Sequence, residues 1–167
     1  MTSPIYLRQP GTEDRGAFLQ AVRHSKPLHR PWIGAPSTSL EFRAYLKRMA
    51  EPANHAYLVC RRDTDQIAGV INLTNVILGG FRSGYLGYYA FAGQERRGYM
   101  RAGLQAVIAH AFRTLKLHRL EANIQPDNRA SLALARACGF RKEGYSPRYL
   151  KIGGRWRDHE RWAVVSP

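Results

Sequence analysis

The sequence predicts a mixed α/β domain, and three observations carry that expectation. β-rich runs of Val, Ile, Leu and Tyr alternate with runs whose apolar residues recur every three or four positions. The chain has 167 residues, enough to bury a real core and the usual size of one domain, so residues 1–167 are read as a single domain. Finally, "SGYLGYYAFAGQERRGYMRAGLQAVIAHAF" passes from a strand through a short loop into a helix opened by glycine, a junction common in α/β folds.

Each element follows from its residues. "IYLRQ" (Ile5–Gln9) alternates like a strand and stops at the Pro10-Gly11 turn. Thr12 precedes "EDRGAFLQAVRHS", whose acidic residues sit where a helix start prefers them. "KPLHRPWIGAPS" is a Pro-rich connector, and the segment Ser37 to Ser39 can cap "LEFRAYLKRMA", an amphipathic helix. "AYLVCRR" and "QIAGVINLTNVIL" are β-rich runs joined by the turn "DTDQ", and "SGYLGYYAF" is a third strand. The helix from about Gly98 to Leu115 places Leu104, Val107, Ile108, Ala111 and Leu115 on one face. "HRLEANIQ" is a strand, "NRASLALARACGF" a helix ended by Gly139, and the last segment two strands around Gly153-Gly154. The order is β–α–α–β–β–β–α–β–α–β–β, without repeats, linkers or low-complexity segments.

Composition narrows the function. With 44% hydrophobic and 23% charged residues the chain is not a disordered one. Its apolar runs fall far short of the roughly 18 residues that a membrane-spanning helix needs, so no membrane partner is expected. "MTSPIYLRQPGTED" lacks the apolar core of a secretory signal, and a cytoplasmic location is expected. Cys60 and Cys138 lie in apolar surroundings and read as buried thiols, with no disulfide framework and no metal. The net charge of +14 implies a surface that attracts polyanions, such as RNA, a ribosome or an anionic cosubstrate. Arginine outnumbers lysine 21 to 5 with no basic tail, so a plain compositional bias remains the alternative. Cationic small molecules would be repelled by such a field.

The stretch "QERRGYMRAGLQAVIAHAF" says more about which anion. A helix start exposes unpaired N–H groups and about half a positive charge, and Arg96, Arg97, Arg101 and Arg113 surround this one. The nucleotide-binding patterns GxxxxGK[ST] and GxGxxG are both absent. "LGYYAFAGQERRGYMRAGLQAVIAHAF", followed by "HRLEA", "PDNRAS", "CGFRKEGY" and "GRWRDH" in this order, resembles the GCN5-related N-acetyltransferases (GNAT), more narrowly the RimJ/RimL type that acetylates ribosomal-protein alanine. The resemblance is strong from Leu86 to Val165 and looser before it. It implies a GNAT-like fold: a mixed, mostly antiparallel sheet splayed between its central strands and flanked by helices. It also implies acetyl-CoA as cosubstrate.

By the same resemblance, the pyrophosphate-binding loop falls on Glu95, Arg96, Arg97, Gly98, Tyr99, Met100 and Arg101. Glu95 departs from the usual Gln or Arg, and Met100 from the usual Gly or Ala; backbone donors survive both changes. The pantetheine arm would pair with backbone groups of Tyr89, Ala90, Phe91 and Ala92. Asn128 matches an asparagine that contacts CoA, and it reads equally as a helix N-cap. Ser131 matches a serine suggested as general acid, or is a first-turn polar residue. The tyrosine that many relatives use as acid is replaced by Ala135, and the RimL-like glutamate falls near Leu150, which cannot act. Glu121, working through water, is the first candidate base, with His159 and Asp158 behind it; a salt bridge to Arg119 is the alternative for Glu121.

A site without an evident strong base suits an amine that is already partly neutral. An α-amine (pKa near 8) is easier to deprotonate than a lysine (near 10.4) by about 3 kcal/mol at neutral pH. The expected acceptor is therefore a protein N-terminus beginning with alanine or serine, on a ribosome or free, walled by Trp32, Tyr88 and Tyr89. A small amine (antibiotic, amino acid or polyamine) and a non-catalytic RNA- or ribosome-binding module are the other readings. A homodimer is compatible with all three.

Overall fold

The computed structural model describes Met1–Pro167. Its seven strands form one sheet: β1 (Ile5–Arg8), β2 (His55–Arg61), β3 (Ile67–Ile77), β4 (Ser83–Ala90), β5 (Arg119–Ile124), β6 (Arg141–Ile152) and β7 (Arg155–Val165), in the spatial order β1-β2-β3-β4-β5-β7-β6. All neighbours are antiparallel except β4 and β5. Five helices cover the faces: α1 (Arg15–His24), α2 (Lys26–His29), α3 (Ser39–Met49), α4 (Tyr99–Arg113) and α5 (Arg129–Ala137).

The central strands β2 and β3 are buried on both faces, which is why their sequences read as nearly continuous apolar runs. On one face Val59, Ile71 and Leu73 meet Leu104, Val107 and Ala111 of α4. On the other, Leu58, Cys60 and Val70 meet Phe18 of α1 and Phe42 and Tyr45 of α3. Gly103 lets α4 approach the sheet closely, because a Cβ there would lie 2.7 Å from Val59 Cγ2.

Two local outcomes differ from the sequence reading. Glu13 and Asp14 belong to a 3-10 turn, Thr12–Asp14, that leads straight into α1; Asp14 stands at the N-cap but makes no capping bond, and its buried carboxylate pairs with Arg8 at 2.6 Å. The Pro-rich connector contains the single turn α2, with Pro27 in its first turn, where a missing N–H costs no helical bond. The cap expected within Ser37 to Ser39 is Thr38, which accepts from Glu41 N at 3.1 Å and completes a capping box.

The feature that positions the site is the junction of β4 and β5. Only Ser83↔Arg119, Gly84↔Leu120 and Tyr85↔Glu121 are paired. Beyond them the strands part, so Leu86 to Ala90 has a partner on the β3 side alone. The sheet is splayed at its centre, as expected.

Candidate active site

At the open end of the fork lies a cavity of about 1080 Å³. One end is built from the loop Gly93–Gly98 and the start of α4. Gly93, Arg96 and Gly98 have φ values of 83°, 61° and 79°, and Gly98 is the N-cap of α4. The first helical bond is Ala102 N to Gly98 O, so the N–H groups of Tyr99, Met100 and Arg101 precede any intrahelical acceptor. Arg96, Arg97, Arg101 and Arg129 line the same cavity, none of them in an ion pair, against the single carboxylate of Glu95, whereas Arg113, read with them in the sequence, is the last residue of α4 and lies away from its start. Oriented N–H groups and unpaired guanidinium groups are what a diphosphate requires. Met100, unusual at its position, is accommodated by Gly69: a Cβ at residue 69 would collide with the Met100 sulfur and lie 2.6 Å from Tyr89 O.

Hydrogen bonding along β4 decides which backbone groups face the fork. Phe91 N donates to Ala68 O at 2.9 Å, so the alternation of an antiparallel ladder turns Tyr89 towards β3 and Tyr88 and Ala90 towards the gap. Ala92 N donates to Ser25 Oγ at 2.8 Å. The expectation for Tyr89 to Ala92 therefore narrows. Tyr88, Tyr89 and Ala90 line the cavity, Phe91 and Ala92 do not, and the free backbone groups are the N–H and C=O of Tyr88 and the N–H of Ala90, whose C=O is already taken by a side chain.

His29, which sequence reasoning passed over, donates from Nε2 to Ala90 O at 2.8 Å. A carbonyl can only accept, so Nδ1 carries the lone pair. Burial holds the His29 pKa below its ordinary value and keeps the ring neutral. Its signal in the sequence was only "LHRPW", with no spacing to mark it.

The other wall is the start of α5. Asn128 Oδ1 accepts from Ser131 N at 3.2 Å, so Asn128 is an N-cap and also lines the cavity. Ser131 Oγ donates to Tyr88 Oη at 3.2 Å, and Tyr88 Oη donates to Ser131 O at 3.1 Å. Burial pushes the Tyr88 phenol up to about 12, so it acts as a donor and not as a base. Ala135 is fully buried, and the hydroxyl beside Ser131 is that of Tyr88 on β4.

Deeper in the fork is a chamber of about 80 Å³, bounded by Leu86, Gly87 and Tyr88 of β4 and by Ala122, Asn123 and Ile124 of β5. It shares Trp32, Ile33, Tyr88, Asn128 and Ser131 with the larger cavity and adds Gln125 and His159. Glu121, the first candidate base, lines neither space. Arg119 Nε holds its Oε1 at 2.7 Å, the salt-bridge alternative, and Arg119 also binds Glu143. Asp158 accepts from the Tyr145 hydroxyl and from Arg148 N, fixing the final hairpin. Of the three bases considered, the structure brings only His159 to the fork.

Comparison with known proteins agrees with this architecture. Residues 5–141 match the family model described as "Acetyltransferase (GNAT) domain", and the chain belongs to that family. It is 42% identical over 105 residues to the Escherichia coli [ribosomal protein uS5]-alanine N-acetyltransferase, a match spanning 63% of this chain and 54% of that protein. Among solved structures, Mycobacterium smegmatis RimJ in complex with CoA-disulfide superposes with a TM-score of 0.90 at 24% identity, over 97% of this chain and 82% of that one. The Vibrio cholerae spermidine N-acetyltransferase in complex with CoA and spermine superposes at 0.82 and 20% identity, over 98% and 96%. Likeness at these identities shows the shared fold. No helix is long and apolar enough to cross a membrane.

Proposed function

We propose that this GNAT-family protein transfers an acetyl group from acetyl-CoA to the N-terminal α-amine of a protein beginning with alanine or serine. Acetyl-CoA supplies the activated acetyl group as a thioester. The α4 amides with Arg96, Arg97 and Arg101 bind its diphosphate, and the Tyr88 and Ala90 backbone groups hold its extended arm along the gap. Asn128 fixes the first turn of α5, and through it the Ser131 hydroxyl stands where a departing thiolate needs a proton. Tyr88, bonded to Ser131 Oγ, orients that hydroxyl.

One observation carries the choice of acceptor. The chamber contains no carboxylate, and the larger cavity has only Glu95, followed directly by Arg96 and Arg97. A polyamine, with several positive charges, finds no counter-charge there and meets a protein of net charge +14. An α-amine needs none once neutral, and about a tenth of it is neutral at pH 7. The basic surface also suits a substrate presented beside ribosomal RNA. The test is thiol release from acetyl-CoA with peptides beginning in alanine or serine, with spermidine and with an aminoglycoside. The peptides should react fastest, and spermidine reacting faster would overturn the choice of acceptor.

A further inference from the structure

We propose that the small chamber at the fork receives the acceptor amine, with Asn123 orienting it and His159 removing its proton. The proposal rests on the reading of the protein as an N-terminal acetyltransferase, and it assigns the base which that reading leaves open.

Asn123 Oδ1 is buried and has no hydrogen-bond partner. Asn123 lines the chamber, and leaving its acceptor in that state costs about 1–3 kcal/mol, so a small turn of the side chain that lets Oδ1 meet an entering N–H donor is favoured. His159 is 3% exposed, and its Nδ1 lies 2.9 Å from Arg157 O. Because a carbonyl only accepts, Nδ1 bears the hydrogen and Nε2 the lone pair. Nε2 has no hydrogen-bond partner within the protein. Besides His159, the only ionisable side chain lining the chamber is Tyr88, already shown to be a donor.

Position along β4 agrees. The anion-binding loop follows the end of the strand, whereas the chamber touches Leu86, Gly87 and Tyr88. At about 3.3 Å per residue, Leu86 lies roughly 13 Å from Ala90 along the strand. The chamber is therefore remote from the diphosphate end and adjoins Ser131, the proton donor. His29 is a poorer candidate, being held at Ala90 nearer the loop and absent from the chamber. A space of about 80 Å³ is well above the roughly 10–15 Å³ that one water needs, which gives room for a small group such as an amine.

His159 Nε2 takes the proton that the amine nitrogen loses as its bond to the acetyl carbon forms and the carbon–sulfur bond breaks. Sulfur leaves as a thiol with a proton delivered by Ser131. The protein returns to its starting state when His159 releases its proton to solvent and Ser131 regains one.

The experiment compares wild type with His159→Asn, which retains a side-chain donor for Arg157 O, and with His159→Ala. Each is assayed on a peptide beginning with alanine, and acetyl-CoA affinity is measured alongside to confirm an intact fold. His159→Asn should lower kcat about 100-fold. His159→Ala should fall similarly and regain at least about tenfold with added imidazole, a recovery that a packing role would not give. Calorimetry of the same peptide against the protein saturated with free CoA should show Asn123→Ala binding at least about fivefold more weakly. His159→Asn within threefold of wild type, a deficit in His159→Ala that imidazole leaves in place, or unchanged peptide affinity for Asn123→Ala would overturn the assignment. If wild type ignores the peptide, the choice of acceptor fails instead, and the same variants are then measured with the amine it does acetylate.

Discussion

Replacing Gly98 by valine tests the anion-binding loop without touching a charge. Gly98 sits at φ 79° and ψ −1°, in the left-handed region, directly before α4. A Cβ there would meet nothing within 4 Å, so the cost of placing a side chain at this position is set chiefly by the backbone conformation. For an L-residue that cost is about 1–2 kcal/mol, and a β-branched side chain belongs at the upper end. If the loop keeps its shape only when bound, the competent fraction falls to about 3–20%, and apparent affinity falls in proportion. Gly98→Val should therefore weaken acetyl-CoA binding by about tenfold or more while the fold persists. Isothermal titration at fixed salt, with circular dichroism and the melting temperature recorded alongside, reads both. Gly80→Val is the control, because Gly80 also has free space, lacks a left-handed φ, and lies in the β3–β4 connection. Unchanged affinity in Gly98→Val would refute the assignment of this loop to the diphosphate.

Three further outcomes are expected. Ser131→Ala should lower kcat about 100-fold with acetyl-CoA affinity nearly unchanged, as rapid-quench and titration data would show; a near-normal kcat would leave Ser131 as a helix-start residue. His29 is held neutral by burial, so the unfolded chain binds a proton at pH values where the folded one does not. Its stability is complete above about pH 6.5 and declines as pH falls through the window below, whereas the Arg8-paired Asp14 acts in a lower window. His29→Gln keeps a donor for Ala90 and should flatten that decline in thermal melts between pH 7 and 5, with a residue from His55, which burial also shifts down; an unaltered slope would contradict this. Gly69→Ala should destabilise by about 1–3 kcal/mol, since the new Cβ meets the Met100 sulfur and the Tyr89 carbonyl, and an unchanged melting temperature would contradict the packing.

Much of the fold was legible because the chemistry is local. The apolar, β-rich runs of β2 to β4, the apolar face of α4 and the Gly153-Gly154 turn each fix an element without reference to its neighbours. The loop before α4 was legible for the same reason, since a glycine and arginines at a helix start speak through the backbone. What escaped depends on contacts between distant residues. Arg8 reaches six positions ahead to capture Asp14, so an acid that looks like a helix cap is bound to a strand. Tyr88 meets Ser131 across 43 residues, and His29 meets Ala90 across 61. For Glu121 the sequence left two roles open, water-mediated base or partner of Arg119, and the structure decides for the salt bridge, with Arg119 two residues away on the same face. Likewise, the choice between Tyr89 and Ala90 as the free backbone rests on ladder register, which a single strand does not encode.

The central claim, transfer to an N-terminal α-amine, is tested most directly by internal competition within one molecule. A peptide beginning with alanine and carrying one internal lysine is incubated with the protein and acetyl-CoA, and fragment-ion mass spectrometry locates the added acetyl group. The account predicts acetylation at the alanine nitrogen, with the lysine unmodified at early times because freeing its amine costs about 3 kcal/mol more. Acetyl groups found on the lysine side chain, with the N-terminus untouched, would contradict it.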